Sequence, residues 1–310
     1  MANALIPYKE GKLGFAIQTG QGVAAATPTQ VYPLPEAGSG IHPLKNYNFF
    51  NWADNNYSIS HYMSEGQWNE GTITIPIIPG YTLASDGAMY LWCFSRTSSE
   101  TYYQTQWATI WRDLGHVSEK FVDCKVASGT IREAAGNFMS LELSVIGIAE
   151  PIEESFPAVS VITTDPYVFS QSVFSLVTAG GALTQDTYVG DVPINFDNKL
   201  VSPSDMLTKQ ESAYPVALPS TQKIDVAGTM SRLFINDEVY TDFKAGTEAA
   251  IREVWTSGGT VCTVDIPRVV WTEDPIGIPT EDIFKEDSVA WQALGSVAGT
   301  TDAISITETS

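Results

Sequence analysis

Cysteine is scarce in this 310-residue sequence, which contains only Cys93, Cys124 and Cys262. An odd number of cysteines cannot all pair within one chain, and these three are far apart in sequence. Free cysteine is among the most frequently buried residue types. We therefore expect three partly buried thiols in a reducing compartment, and no disulfide framework.

Histidine is equally rare, and the sequence has none of the short Cys/His spacings that zinc sites show. Pairs such as Cys124 with His116, or Cys93 with His61, are conceivable nucleophile and base combinations, but three residues of each type always allow some pairing. Phosphate-binding loops, metalloprotease motifs and nucleophile elbows are also missing. The sequence predicts no catalytic, cofactor-binding or metal-binding residues, no cofactor and no enzymatic activity.

Basic residues are few, with 16 lysines and arginines against 36 aspartates and glutamates, and the formal net charge is −20. Nucleic-acid binding depends on lysine and arginine side chains that displace counterions from phosphates. The acidic excess therefore argues against tight DNA binding.

Long apolar runs are also missing, because no stretch approaches the roughly 18 residues of a membrane helix. The first residues, Met1 to Pro7, lack the basic flank and apolar core of a signal peptide. We expect no membrane contact, and a protein that is made and kept in a cytoplasm.

The pattern that is present is β. Apolar and polar residues alternate in several runs, as in half-buried strands, and glycine or proline separates the runs. These predicted strands are Gly71–Ile78, Met139–Gly147, Thr260–Ile266 and Ala303–Thr307. Trp107 to Arg112 fits either a helix or a strand, and the neighbouring strands favour a strand.

Two short helices are predicted. One runs from about Ser85 to Arg96 and places Met89, Trp92 and Cys93 on one face. The other runs from about Asp237 to Lys244, with Asn236 as the N-cap. Its side chains Val239 and Phe243 are expected to face inward.

A segment rich in proline and acidic residues, Ala149–Pro157, divides the chain into residues 1–155 and 156–310. We call these the first and second halves. The pattern Gly71-Thr72-Ile73 before the first helix corresponds to Gly228-Thr229-Met230 before the second. Each half reads as strand, short helix, strand, turn, strand, which indicates a weak internal repeat.

The eight tryptophans leave an alternative function open, since aromatic rings and paired carboxylates also build carbohydrate sites. Most of them fall inside strand or helix patterns, where packing is the commoner use of a tryptophan. A carbohydrate-binding or adhesive β-sandwich protein of a virion therefore remains the alternative, and a β-rich hydrolase comes third.

Several short strings, in this order, resemble the two-module tail tube proteins of long-tailed bacteriophages. Gly22–Thr29 is similar to their opening segment, and Asp123–Gly147 resembles the close of their first module. In the second half, Ile194–Leu200 resembles a strand that ends in a tight turn. Tyr240–Glu248, a helix that runs into Ala-Gly-Thr-Glu, is the most specific match, and Ile266–Val269 also fits.

The resemblance implies a mainly β fold with two tandem tail-tube β-sandwich or barrel modules, 1–155 and 156–310, each with one short flanking α-helix. It implies that the chain assembles with itself into homotrimeric rings of pseudo-sixfold symmetry. The rings would stack into a hollow virion tail tube through which DNA is ejected. Tape measure, tail tip and tail terminator proteins are the expected partners, and assembly is expected in the host cytoplasm.

The acidic excess suggests a further hypothesis about such a tube. Carboxylates that line the bore would repel the phosphates of passing DNA, so that the DNA does not bind specifically. Salt limits this repulsion to about 8 Å from the wall at physiological ionic strength.

Overall fold

A computed structural model describes thirteen stretches of the chain, which together include both halves. They are residues 11–33, 40–50, 61–84, 88–94, 106–115, 117–133, 135–178, 181–208, 213–221, 224–233, 237–273, 285–295 and 303–309.

The described part of the first half contains eight strands and one α-helix. In chain order they are β1 (Lys12–Ile17), β2 (Gln30–Pro33), β3 (Gly40–Phe50), β4 (His61–Pro76), α1 (Ala88–Phe94), β5 (Ala108–Asp113), β6 (Ser118–Arg132), β7 (Ser140–Gly147) and β8 (Ile152–Glu153). All pairing is antiparallel. Strand β1 lies between β2 and β5, β6 pairs with β5, β7 and β8, and β4 connects β7 to β3.

The described part of the second half contains a further eight strands and one α-helix. They are β9 (Ser172–Val177), β10 (Thr184–Gln185), β11 (Ile194–Asp197), β12 (Asp225–Leu233), α2 (Glu238–Ala245), β13 (Ala249–Ser257), β14 (Thr260–Trp271), β15 (Lys285–Ala293) and β16 (Ser305–Thr309). Two short 3-10 turns, Phe169–Gln171 and Pro203–Met206, lie between strands.

The sixteen described strands belong to one large antiparallel sheet, and the architecture is consistent with a β-sandwich. The alternation that predicts strands has the expected cause. In β7 the side chains of Leu141, Leu143 and Val145 are buried, and the residues between them are half-buried. The predicted mainly β fold is confirmed, as are the strands now labelled β4, β7, β14 and β16, and the strand form of the Trp107 region is confirmed as β5.

Both predicted helices are present, and each packs one face on the sheet. Met89, Trp92 and Cys93 of α1 are buried, as predicted, and the Trp92 ring lies 4.8 Å from the Phe15 ring on β1. In α2, Val239 is buried and Phe243 packs against the core. Asp237, and not Asn236, occupies the N-cap position of α2. The helix ends at Gly246, which has the left-handed conformation that glycine accepts without strain.

The predicted linker Ala149–Pro157 contains strand β8, whose Ile152 pairs with Lys120 of β6. The segment between the halves is thus attached to the first half by a short strand. Neither of the described helices, at seven and eight residues, has the length of a membrane span.

Gly129 on β6 allows a close approach between the two halves. A Cβ atom built there would lie 2.4 Å from Cζ of Phe196 on β11 and 2.8 Å from Cδ2 of Leu143 on β7. Because close-packed aromatic and aliphatic atoms surround this position, the structure has no room for even one methyl group.

We expect Gly129→Ala to lower the free energy of unfolding by about 1–3 kcal/mol, the usual cost of overpacking a core. Urea denaturation of the purified subunit measures this change. Gly20→Ala is the matched control, since a Cβ at Gly20 meets no atom within 4 Å. Equal stability of the two variants would contradict the tight contact between Gly129 and Phe196.

Candidate functional site

Strand β11 joins the two halves of the chain. On one edge it pairs with β12 of its own half, with Ile194 opposite Gly228. On the other edge it pairs with β6 of the first half, with Ile194 opposite Ile131 and Asp197 opposite Ser128. Both edges of this short strand are therefore used, and the sheet continues from one half into the other.

Side chains reinforce the backbone pairing at this junction. Phe196 is buried and covers Gly129, while Thr130 Oγ1 donates a hydrogen bond of 2.8 Å to Oδ1 of Asn195. Just after β11, the buried Asn198 donates from Nδ2 to the Val126 carbonyl at 3.0 Å. The junction thus combines apolar packing with hydrogen bonds that fix its register.

Strand β3 of the first half occupies the position that corresponds to β11, but among the described residues only one of its edges is paired. It pairs with β4 over its whole length, and no other strand among the described residues pairs with it. His42, Pro43 and Lys45 on this strand are exposed. An unpaired edge is a template for pairing with another chain, and proline and lysine are residues that limit indiscriminate pairing at such edges.

The correspondence between β3 and β11 rests on the registers of the strands. Gly71 of β4 lies opposite Ile41 of β3 and Val145 of β7. Gly228 of β12 lies opposite Ile194 of β11 and Trp291 of β15. The two glycines that the sequence repeat matches therefore have the same neighbours in the sheet.

The same pattern of pairing extends through all sixteen described strands. Each contact among β1 to β8 has a counterpart among β9 to β16, including β1 with β2 and β9 with β10, and β6 with β8 and β14 with β16. The irregularity between Ala108 and Ile110 of β5 recurs between Ala249 and Ile251 of β13. One helix follows β4, and one follows β12.

The connection from β11 to β12 also lies against the first half. The Ala213 carbonyl accepts a hydrogen bond of 2.8 Å from the backbone N–H of Gln67, and the Leu218 carbonyl accepts one of 2.9 Å from Nζ of Lys125. Lys125 is buried, and its ammonium group lies 4.1 Å from the centre of the Trp107 ring. A lysine charge is costly to bury without such partners, so this contact ties the connection firmly to β6.

The cysteines are buried and unpaired, as the sequence predicted. Burial raises the pKa of the Cys93, Cys124 and Cys262 thiols, and the neighbouring Asp123 carboxylate adds to the effect at Cys124. These thiols therefore remain protonated and are poor nucleophiles. Of their conceivable partners, His116 and the side chain of His61 lie outside the described part of the chain.

No group of three or more metal-ligating side chains occurs among the described residues. The tryptophan rings belong mostly to the core, and the fully or largely buried ones are Trp92, Trp111, Trp255, Trp271 and Trp291. Trp68 and Trp107 are half-buried, and Nε1 of Trp68 donates to Glu70 at 2.9 Å. The five buried rings serve packing.

Strand β3 and its free edge were missed in the sequence, because Pro43 interrupts the alternation of apolar and polar residues there. The proline and the nearby Lys45 were themselves the usable signal, since both are typical of edge strands. The contact between β11 and β6 gave no local signal, because alternation predicts which face of a strand is buried and not which strand lies beside it.

Comparison with protein families adds to this geometry. The family model described as phage tail tube protein matches residues 10–293, which run from just before β1 to the end of β15. No curated protein matches the chain. The family match covers most of the chain and agrees with the resemblance of the short strings in both halves. The chain therefore belongs to the phage tail tube protein family.

Proposed function

We propose that three copies of this structural tail tube subunit close into a ring with pseudo-sixfold symmetry, and that stacked rings form the hollow tube of a virion tail. The observation that carries the proposal is the repeated pairing of strands, in which β11 has both edges paired and β3 has one edge free. Family membership supports the structural role.

In this proposal the chain consists of two tandem modules, residues 1–155 and 156–310. The shared pairing pattern, the matching positions of Gly71 and Gly228 and the helix after β4 and β12 support the division. Within one chain, β11 of the second module adds to β6 of the first. In the ring, β3 of the first module would add in the same way to the second module of the next chain.

The registers give the expected contact between neighbouring chains. Cys124 of β6 lies opposite Gly147 of β7, and Val269 of β14 lies opposite Ala293 of β15. Cys124 and Val269 are therefore corresponding positions in the two halves. Asp197 lies opposite Ser128 in the junction within the chain. Leu44 is the counterpart of Asp197, and Glu273 is the counterpart of Ser128. Leu44 of one chain would therefore lie opposite Glu273 of the next.

A double cysteine variant tests this contact. Residues directly opposite in an antiparallel pair have Cα atoms about 4.5–5.5 Å apart, which is within the range that a disulfide spans. We expect Leu44→Cys/Glu273→Cys to form intermolecular disulfides under mild oxidation, with products that end at the trimer. Non-reducing electrophoresis and mass measurement detect them, and electron microscopy of the same sample shows rings or tubes.

The two single variants are the controls, because each lacks one partner and the native cysteines are buried. Both should stay uncrosslinked. If the double variant assembles into tubes but shows no disulfide-linked species on the non-reducing gel, the proposed contact is contradicted. Crosslinked products larger than a trimer within single rings would contradict the threefold closure.

The tube would serve as a passive conduit for DNA ejection, with acidic side chains lining its bore. The net charge of −20 supports this idea, because a bore that attracted phosphates would slow the passage of DNA. Tape measure, tail tip and tail terminator proteins are the proposed partners in the tail. Assembly in the host cytoplasm and the absence of a membrane partner complete the proposal.

We expect assembled tubes to retain no short double-stranded DNA, even at low ionic strength where electrostatic attraction is strongest. Co-sedimentation of labelled DNA with tubes measures this, and free DNA spun alone gives the baseline. Retention that weakens steeply as salt is added would reveal a basic bore or outer surface and would contradict the acidic conduit.

A further inference from the structure

Two buried glutamates come together where the halves meet. Glu133 directly follows β6 in the first half and is 4% exposed, and Glu253 lies on β13 in the second half and is 1% exposed. Carboxylates are rarely buried to this degree unless cations neutralise them. The tail tube function does not account for either side chain.

The hydrogen bonds around this pair are incomplete. Neither oxygen of Glu253 receives a hydrogen bond from any described donor, and Oε1 of Glu133 receives none. Oε2 of Glu133 accepts only a long hydrogen bond of 3.4 Å from Oγ of Ser172 on β9. Both carboxyl groups line a cavity of about 250 Å³, which lies between β9 and the segment after β10.

No described cation neutralises the two carboxyl groups. Asp191, which precedes β11, adds negative charge near Glu133, and Cys262 of β14 and Trp255 of β13 are the other groups that face the pair. The Asp186 carboxylate lines the same cavity but accepts a 2.6 Å hydrogen bond from Nε of Arg232 on β12. The arginine charge is thus already balanced.

Two bare carboxylates this close and this deeply buried would repel each other strongly. Burial raises the pKa of Glu253 well above its ordinary value and the Glu133 carboxylate raises it further, while the contact with Trp255 opposes the rise. Burial also raises the pKa of Glu133, although contacts with Glu253, Trp255 and Ser172 oppose this effect. Burial thus favours a proton on the pair, and the protonated carboxyl group can donate to the other.

We propose that Glu133 and Glu253 form a proton-binding site, in which one proton shared by the two carboxyl groups holds the two halves of the chain together. The shared proton supplies a hydrogen bond between the two carboxyl groups, and it removes one of the two buried charges. Loss of this proton to water through the adjoining cavity leaves two facing anions and loosens the junction.

The sign of the pH dependence follows from the raised pKa. The folded pair keeps its proton above the ordinary carboxyl pKa of 4.5, whereas the unfolded chain releases it there. The pair's contribution to stability is therefore complete below pH 4.5 and declines as the pH rises towards the raised pKa. Within that window, the unfolding equilibrium constant should increase about tenfold per pH unit for the one proton.

Glu253→Gln tests the site, because the amide has the same shape and donates to Glu133 at any pH. We expect the variant to match the wild type near pH 4.5, to be more stable at pH 8, and to lose about a tenfold change in unfolding constant per pH unit. Denaturation of the free subunit over this pH range measures the difference. Since no ring is needed, failure here leaves the proposed assembly untouched.

Glu142→Gln is the matched control. It removes one carboxylate of a more exposed ion pair with Arg132, next to Glu133, and should leave the pH slope unchanged. Glu133→Gln should weaken the slope less than Glu253→Gln does, because burial alone still raises the pKa of Glu253. An unchanged slope in Glu253→Gln would overturn the proposal.

Two further measurements keep the proposal testable if the variants fold poorly. At a pH just above the ordinary carboxyl range, the infrared spectrum of the wild type should contain the carbonyl stretch of a protonated carboxyl group that Glu253→Gln removes, and its absence would overturn the shared proton. Calcium or magnesium ions should not raise the wild-type melting temperature at pH 8. If these ions raise the melting temperature, a chelator reverses the rise and Glu253→Gln abolishes it, then the pair binds a cation in place of the proton and the proposal is overturned.

Discussion

The continuous sheet depends on the pairing of β11 with β6. This contact uses the last free hydrogen-bonding groups of β11, and it closes Phe196 over Gly129. Because buried backbone groups must be paired, two halves joined this way cannot separate without exposing both strand edges and the apolar side chains between them. The connection from β11 to β12 adds a second attachment through Lys125. Strand β6 also pairs with β5, β7 and β8, so it contacts strands of both halves.

The shared proton proposed for Glu133 and Glu253 lies at the end of this same strand. Glu133 follows the β6 residues that pair with β11, and Asp191 precedes β11 and accepts a 3.1 Å hydrogen bond from the backbone N–H of Ala135. Packing, backbone pairing and buried acids therefore meet within a few residues. A chain with a net charge of −20 already carries unfavourable self-repulsion, and the proposed proton would remove one buried charge where the halves meet.

Much of the fold could be predicted from local patterns, because alternation and capping depend on neighbours in sequence. Strand β7 was predicted from its alternation and helix α1 with its three buried residues, while the N-cap of α2 was off by one residue. Pairing between distant strands was not predictable, since it depends on tertiary packing. Glu253 did leave a signal, as it occupies an inward position between Ile251 and Trp255 where an apolar residue is expected. An acid in such a position indicates a special environment.

A chain with two modules also changes the cost of building the proposed ring. A junction within a chain forms at the high effective concentration set by the connecting segment, whereas a junction between chains costs translational and rotational entropy. If two modules are joined in one chain, half of the junctions in the ring lie within chains and have the lower entropic cost. In the proposal, the remaining junctions would use the β3 edge, where the exposed Pro43 and Lys45 discourage pairing with arbitrary strands. A partner strand that pairs in a matching register, and whose adjoining segment packs on the sheet as the β11 to β12 connection does, could still pair with this edge. In the proposed ring, the internal junction would therefore be both a structural support and a template for the contact between chains.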